Sequence, residues 1–158
     1  MKRLALILIH WYQFAMNYPL YWYFRDRCQV GGDCLILILL RRMESKRCSS
    51  TGLGPKGSCT WIASPLVLPH GMNCIIFGRN ARIGRNVTVM QGVTIAEGDK
   101  TKTTIIEDDV MLGAGCIIMN NAHIGKGAKI GANAVVLSDV PAFATAVGVP
   151  ARIIMNEL

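Results

Sequence analysis

The sequence of 158 residues predicts an all-β core folded as a left-handed parallel β-helix, preceded by a short helical segment. Three observations predict it. Large apolar residues recur every six positions from Phe77 to Val136, with one interruption. The fourth position of every repeat is Gly, Asn or Asp. The fifth is small or β-branched, with one exception.

The hexads run as follows. Phe77, Ile83, Val89 and Ile95 open four of them. After a five-residue insertion, Ile106, Leu112, Ile118, Ile124, Ile130 and Val136 open six more. The fourth positions are Asn80, Asn86, Gly92, Gly98, Asp109, Gly115, Asn121, Gly127, Asn133 and Asp139. These residue types best tolerate positive φ. The fifth positions are Ala81, Val87, Val93, Val110, Cys116, Ala122, Ala128, Ala134 and Val140, with Asp99 the exception at the insertion.

A strand of two or three residues that turns a corner every six needs a permissive backbone at that corner. The large aliphatic then points inward and stacks on its equivalent one coil away. Three such sides close a triangular coil, and stacked coils satisfy their backbone groups by parallel pairing. A helix would require a period of 3.6, and the 16 glycines oppose it. A sandwich would show alternation with irregular turn spacing.

Upstream, residues 62–67 and 68–73 read as two further hexads, after which the phase slips by three residues at Cys74-Ile75-Ile76. Residues 1–45 read as a helical, basic and apolar segment, and 46–60 as a loop or a degenerate first coil. The β-helical domain is thus expected over 46–158, with a protruding loop at about 97–105 and a C-terminal tail over 142–158.

An apolar fraction of 51% with 17% charged residues excludes a disordered chain. The net charge of +7 is uneven: residues 1–60 carry nine Lys/Arg against three acids, the remainder eight against seven. That N-terminal excess suggests an anionic membrane surface or substrate. Nucleic acid is not expected, for no helix-turn-helix pattern, zinc-finger spacing or aromatic platform is present. Leu4 to Phe24 is uncharged but holds His10, Gln13, Asn17, Pro19 and an aromatic cluster. It suits packing on protein, or peripheral contact with the inner face of the membrane, better than a span. The six cysteines form no CxxC pair and read as free thiols in a reducing compartment, the cytoplasm.

Five stretches carry a family resemblance: LPHGMNCIIFGRNARIG (68–84), NVTVMQGVTIAEG (86–98), VMLGAGCII (110–118), IGKGAKIGANAVVLSDVP (124–141) and GVPARI (148–153). Together they resemble the serine O-acetyltransferases and the capsular or exopolysaccharide O-acetyltransferases. The resemblance implies a homotrimer, with acetyl-CoA as co-substrate between two neighbouring β-helices and no metal requirement. It implies that His70 is the catalytic general base, taking the proton from an acceptor hydroxyl as that oxygen attacks the thioester. A neutral imidazole suits such work near neutral pH. It also implies cofactor contacts at Gly113, Ala114 and Ala132, with Lys129 and Arg152 near the phosphates or the adenine end. The insertion GDKTKTT (98–104) would correspond to a loop that reaches a neighbouring subunit's active site; a merely solvated loop is the other reading.

Three departures from the serine acetyltransferases bear on the acceptor. Pro69 stands where those enzymes have an acidic residue, Thr103 where they have a second histidine, and a position near Pro55 where they have the acid that orients the base. Their absence, together with the short basic N-terminus, points to a sugar of a cell-surface polysaccharide as acceptor. Serine acetylation in cysteine biosynthesis is the alternative. A non-catalytic β-helical binding or scaffold module is the alternative from another class. A β-helical metal enzyme would need three converging histidines, and only His70 and His123 lie in the repeats.

Overall fold

The computed structural model describes residues 60–155, apart from 64, 65, 79, 100 and 120. The expectations for residues 1–59, the helical segment and its membrane contact included, lie outside the described residues. Within them, thirteen strands of two or three residues stack into three sheets, the faces of a triangular prism. The first face holds β1 (Trp61–Ile62), β3 (Ala81–Ile83), β6 (Thr104–Ile106) and β9 (His123–Ile124). The second holds β4 (Thr88–Val89), β7 (Met111–Leu112), β10 (Lys129–Ile130), β12 (Thr145–Val147) and β13 (Arg152–Ile154). The third holds β2 (Ile76–Phe77), β5 (Thr94–Ile95), β8 (Ile117–Ile118) and β11 (Val135–Val136). All pairings are parallel except β12 with β13. This is the left-handed β-helix expected from the hexads.

The inward columns are the hexad-opening residues. Phe77, Ile95, Ile118 and Val136 fill the third face, Val89, Leu112 and Ile130 the second, and Ile83, Ile106 and Ile124 the first, none more than 2% exposed. Register records both irregularities. Ile76 pairs with Thr94, eighteen positions on, but Thr94 pairs with Ile117, twenty-three on, so the insertion adds five residues to one coil. Trp61 pairs with Arg82, twenty-one on, which is the three-residue slip.

Eight of the ten fourth-position residues have positive φ, from 55° at Asn86 to 73° at Gly92. Gly98 and Asp139 do not. Gly98 opens the insertion, and a Cβ there would collide with Asn121 Oδ1, so close approach rather than φ requires the glycine. Asp139 precedes a shortened coil in which Lys129 pairs with Thr145 only sixteen positions on. The next vertex therefore falls two residues early, on Phe143, with φ 60°. Its ring lies where a Cβ on Gly127 would be, which fixes glycine at 127. The fifth-position gap at Asp99 is also closed: Thr104, 3% exposed, pairs with Ala81 and takes that inward place. Residues 142–155 continue the prism through β12, and β13 folds back across it.

Side chains cap the insertion loop and the vertex between the first and second faces. Asn121 Oδ1 accepts the Asp99 N–H, and its Nδ2 donates to the carbonyls of Asp99 and Lys102. Hydrogen bonds from the Thr101 N–H and hydroxyl hold the Asp99 carboxyl below its ordinary range. At the vertex, Asp108 Oδ1 accepts the Arg85 N–H and Glu107 Oε2 the Lys126 N–H. Glu107 Oε1 lies 2.8 Å from His123 Nε2 on the outward side of β9. The His123 hydrogen bond, then that of Lys126, depresses the Glu107 carboxyl.

Two outcomes check this account. Asn133, with φ 55°, should accept Gly almost neutrally, whereas Asn133→Val should lose about 1–2 kcal/mol in urea unfolding at fixed protein concentration; equal loss in both would refute the corner argument. The depressed Glu107 value means its contribution is present above the ordinary carboxylate range and disappears as pH falls through about 4 and below. The Glu107→Gln variant should thus melt slightly lower than the parent at pH 7 and converge with it in acid. A gap independent of pH would contradict the assignment.

Candidate active site

Backbone hydrogen bonds define a column along the vertex that joins the second face to the third. Gly92 N donates to Asn73 O, Gly115 N to Gln91 O, and Asn133 N to Ala114 O, each between neighbouring coils. His70 lies in the turn at the foot of this column, between the Val67–Thr88 bridge and β2. It is exposed. Gly113 and Ala114 lie two coils above it and Ala132 three, so that at about 4.8 Å per coil the axial separations are roughly 10 and 14 Å. The three-residue slip falls between β1 and β2, and it is this extra chain that sets the His70 turn outside the regular path.

Lys129 points outward from β10 on the second face, beside Met111 below and Thr145 above. Arg152 is exposed on β13, opposite Val147. Near it, Ala151 N donates to Val135 O, which ties this segment to the third face beside the top of the same vertex. All six sequence-predicted residues thus fall on the second face or on the vertex it shares with the third. His70 and Arg152 mark its opposite ends. His123 faces outward on the first face and shares no vertex with His70. Among the described residues, no group of three or more His, Cys, Asp or Glu could hold a metal ion.

The column differs from the other vertex in one respect that matters chemically. There, carboxylates cap the Arg85 and Lys126 amides. Here, the amides at the same hexad position, those of Gln91, Ala114 and Ala132, have no acceptor among the described residues. Ala132 is exposed and Ala114 half-buried, with only a methyl group beside each donor. A long ligand rich in carbonyl and phosphate oxygens fits such a track of unsatisfied donors. Gly113 has a different role. A Cβ there would lie 2.6 Å from Ile130 O and 2.7 Å from Ala132 N, so the glycine permits coil stacking.

Sequence reasoning missed two residues. Gln91 is exposed on the vertex one coil above the His70 turn. Asn73 donates from Nδ2 to the His70 carbonyl at 2.8 Å. An Asn near a Pro-Xaa-Gly turn is a signal for side-chain-to-backbone bonding, and it was available. Of the two described cysteines, Cys116 is buried at a fifth position, and burial pushes its thiol up to about 12. Cys74 is exposed.

Comparison with known proteins extends this picture. A family described as bacterial transferase hexapeptide (six repeats) matches residues 103–138. The serine acetyltransferase of Bacillus licheniformis is 44% identical over 93 residues, covering 57% of this chain and 43% of that protein. That of Haemophilus influenzae is 44% identical over 88 residues, covering 52% and 32%. Among solved structures, the serine acetyltransferase of Neisseria gonorrhoeae superposes with a TM-score of 0.71 at 32% identity, covering 85% of this chain and 51% of that one. A serine acetyltransferase in complex with CoA gives 0.69 at 33% identity, covering 83% and 52%. The chain spans about half the length, or less, of the relatives it matches. By repeat, fold and sequence, the chain is a left-handed β-helix that carries transferase-type hexapeptide repeats over residues 103–138 and is similar to the serine acetyltransferases.

Proposed function

We propose that this chain is an acyltransferase that moves an acetyl group from acetyl-CoA to a hydroxyl, working as a cytoplasmic homotrimer. The observation that carries the proposal is the shared vertex: an exposed imidazole at its foot and a track of uncapped amides above it. The track suits the oxygens of the pantetheine arm and phosphates, with Lys129 and Arg152 supplying positive charge alongside. His70 accepts the hydroxyl proton as that oxygen attacks the thioester carbonyl. The tetrahedral intermediate then collapses, the carbon–sulfur bond breaks, and the imidazolium returns its proton to the departing thiolate.

Serine is the acceptor that the named relatives favour. The expected polysaccharide sugar draws no support from them. What still favours it is the pair Pro69 and Thr103, which cannot supply the charged partners an amino acid's ammonium and carboxylate groups would use.

Thiol release from acetyl-CoA, followed with serine and with simple and nucleotide sugars, decides between acceptors. The His70→Ala variant should lose roughly a hundredfold or more in turnover. A variant that keeps full turnover would remove His70 as the base, and a parent that releases no thiol with any acceptor would leave a binding or scaffold role. Ala132→Trp should raise KM for acetyl-CoA about tenfold while leaving the acceptor's KM near its parent value, because the bulk enters an exposed position on the track. An unchanged KM would place acetyl-CoA elsewhere.

A further inference from the structure

His70 sits within the four-residue segment Leu68-Pro69-His70-Gly71. Gly71 N donates to Leu68 O at 3.0 Å, which closes a β-turn with Pro69 second and His70 third. The pyrrolidine ring fixes φ at Pro69. His70 is absent from the positive-φ residues, so the turn is not type II; it matches type I, whose third residue sits in the sparsely allowed bridge region. Gly71 follows with φ 67°, and Met72, 1% exposed, plugs the core. Leu68 is partly buried and packs against the same core.

Asn73 completes the device. Its Nδ2 donates to the His70 carbonyl at 2.8 Å, and its own carbonyl accepts the Gly92 N–H of the next coil at 2.9 Å. One residue thereby ties the His70 backbone to the stacked prism. The ring of His70 has no hydrogen bond or ion pair to a side chain among the described residues. The residue immediately before the base, Pro69, carries no charge.

We propose that Asn73 is a positioning residue for His70, holding the base through its backbone by a proline-initiated turn, where a carboxylate on the ring would otherwise do so. This rests on the acetyl transfer proposed above. A base held within a fraction of an ångström of productive geometry gains rate by orientation alone, and a loosened turn forfeits it.

Asn73→Asp keeps the shape but replaces the donor with an acceptor that repels the His70 carbonyl. Pro69→Ala loosens the same turn from its other end. In the full-length protein, each should lower kcat for thiol release at least tenfold, with KM for acetyl-CoA within about twofold and the melting temperature near that of the parent. Backbone 15N relaxation at His70 should show lost order in both variants, a readout that needs no turnover. Retained kcat with unchanged order at His70 overturns the inference, as does a kcat loss that tracks a fall in melting temperature. A parent protein that releases no thiol with serine or any sugar overturns the proposed acetyl transfer instead, and the relaxation data then decide the Asn73 clamp separately.

Discussion

A chain that must change direction every six residues can do so only where its backbone enters the left-handed region, and here that requirement organises everything else. At eight hexad vertices a Gly, Asn or Asp carries positive φ. Each lets a two-residue strand end and the next begin on another face. The strands are too short to be stable alone, and they persist because each one pairs with strands in the neighbouring coils. The apolar column inside is the other half of the bargain. Ten hexad-opening residues, none above 2% exposed, stack at the spacing of the coils. Vertex and column depend on each other, because a corner moved by one residue would turn an inward side chain out.

This geometry also explains where chemistry can sit. Strand amides and carbonyls are consumed between coils, so the flat faces have little left to offer a ligand. The vertices differ. Where the first and second faces meet, carboxylates take up the spare amides and His123, building a closed polar ladder. Where the second and third meet, methyl groups and hydrogen atoms replace those caps, and the amides of Gln91, Ala114 and Ala132 stay open. The displaced turn bearing His70 lies at the foot of that second vertex. Small side chains at 114 and 132 are compatible with the repeat and with ligand approach together, which is why composition alone could not separate the two roles.

Much of the fold was legible because its determinants are local. The vertices from Asn80 to Asn133, Gly98 excepted, and the five-residue insertion follow from spacing along the chain, and register bears them out. The three-residue slip is present but falls between Val67 and Asn73 rather than at Cys74-Ile75-Ile76, because Val67 pairs twenty-one positions on whereas Asn73 is already in the eighteen-residue register. What was not legible depends on residues one coil away. Phe143 becomes a vertex only because its coil is two residues short, and an aromatic residue is an unusual occupant of positive φ. Thr104 fills an inward place that counting assigned to Asp99, because the loop between them leaves the prism. The site divides in the same way. His70 stood out by family resemblance, whereas the open amides are visible only once the capped ones on the opposite vertex are seen. Gly113, read as a cofactor contact, is required first by the approach of Ile130 and Ala132.

The reversed strand β13 has a bearing on how the stack of coils is covered on one face. A prism of parallel coils offers a fresh row of donors and acceptors at its last turn, and nothing in the repeat itself says where to stop. Here β13 lies antiparallel across β12 and takes up those groups on the second face, while Gly148 and Ala151 engage Val135 on the third. On the second face a copy of the same chain arriving coil-first would meet the outer edge of a reversed strand, with the β12 groups beneath it already taken. The hairpin thus breaks the parallel register on that face, so that the coil-on-coil pairing of the repeat does not continue past β12 there.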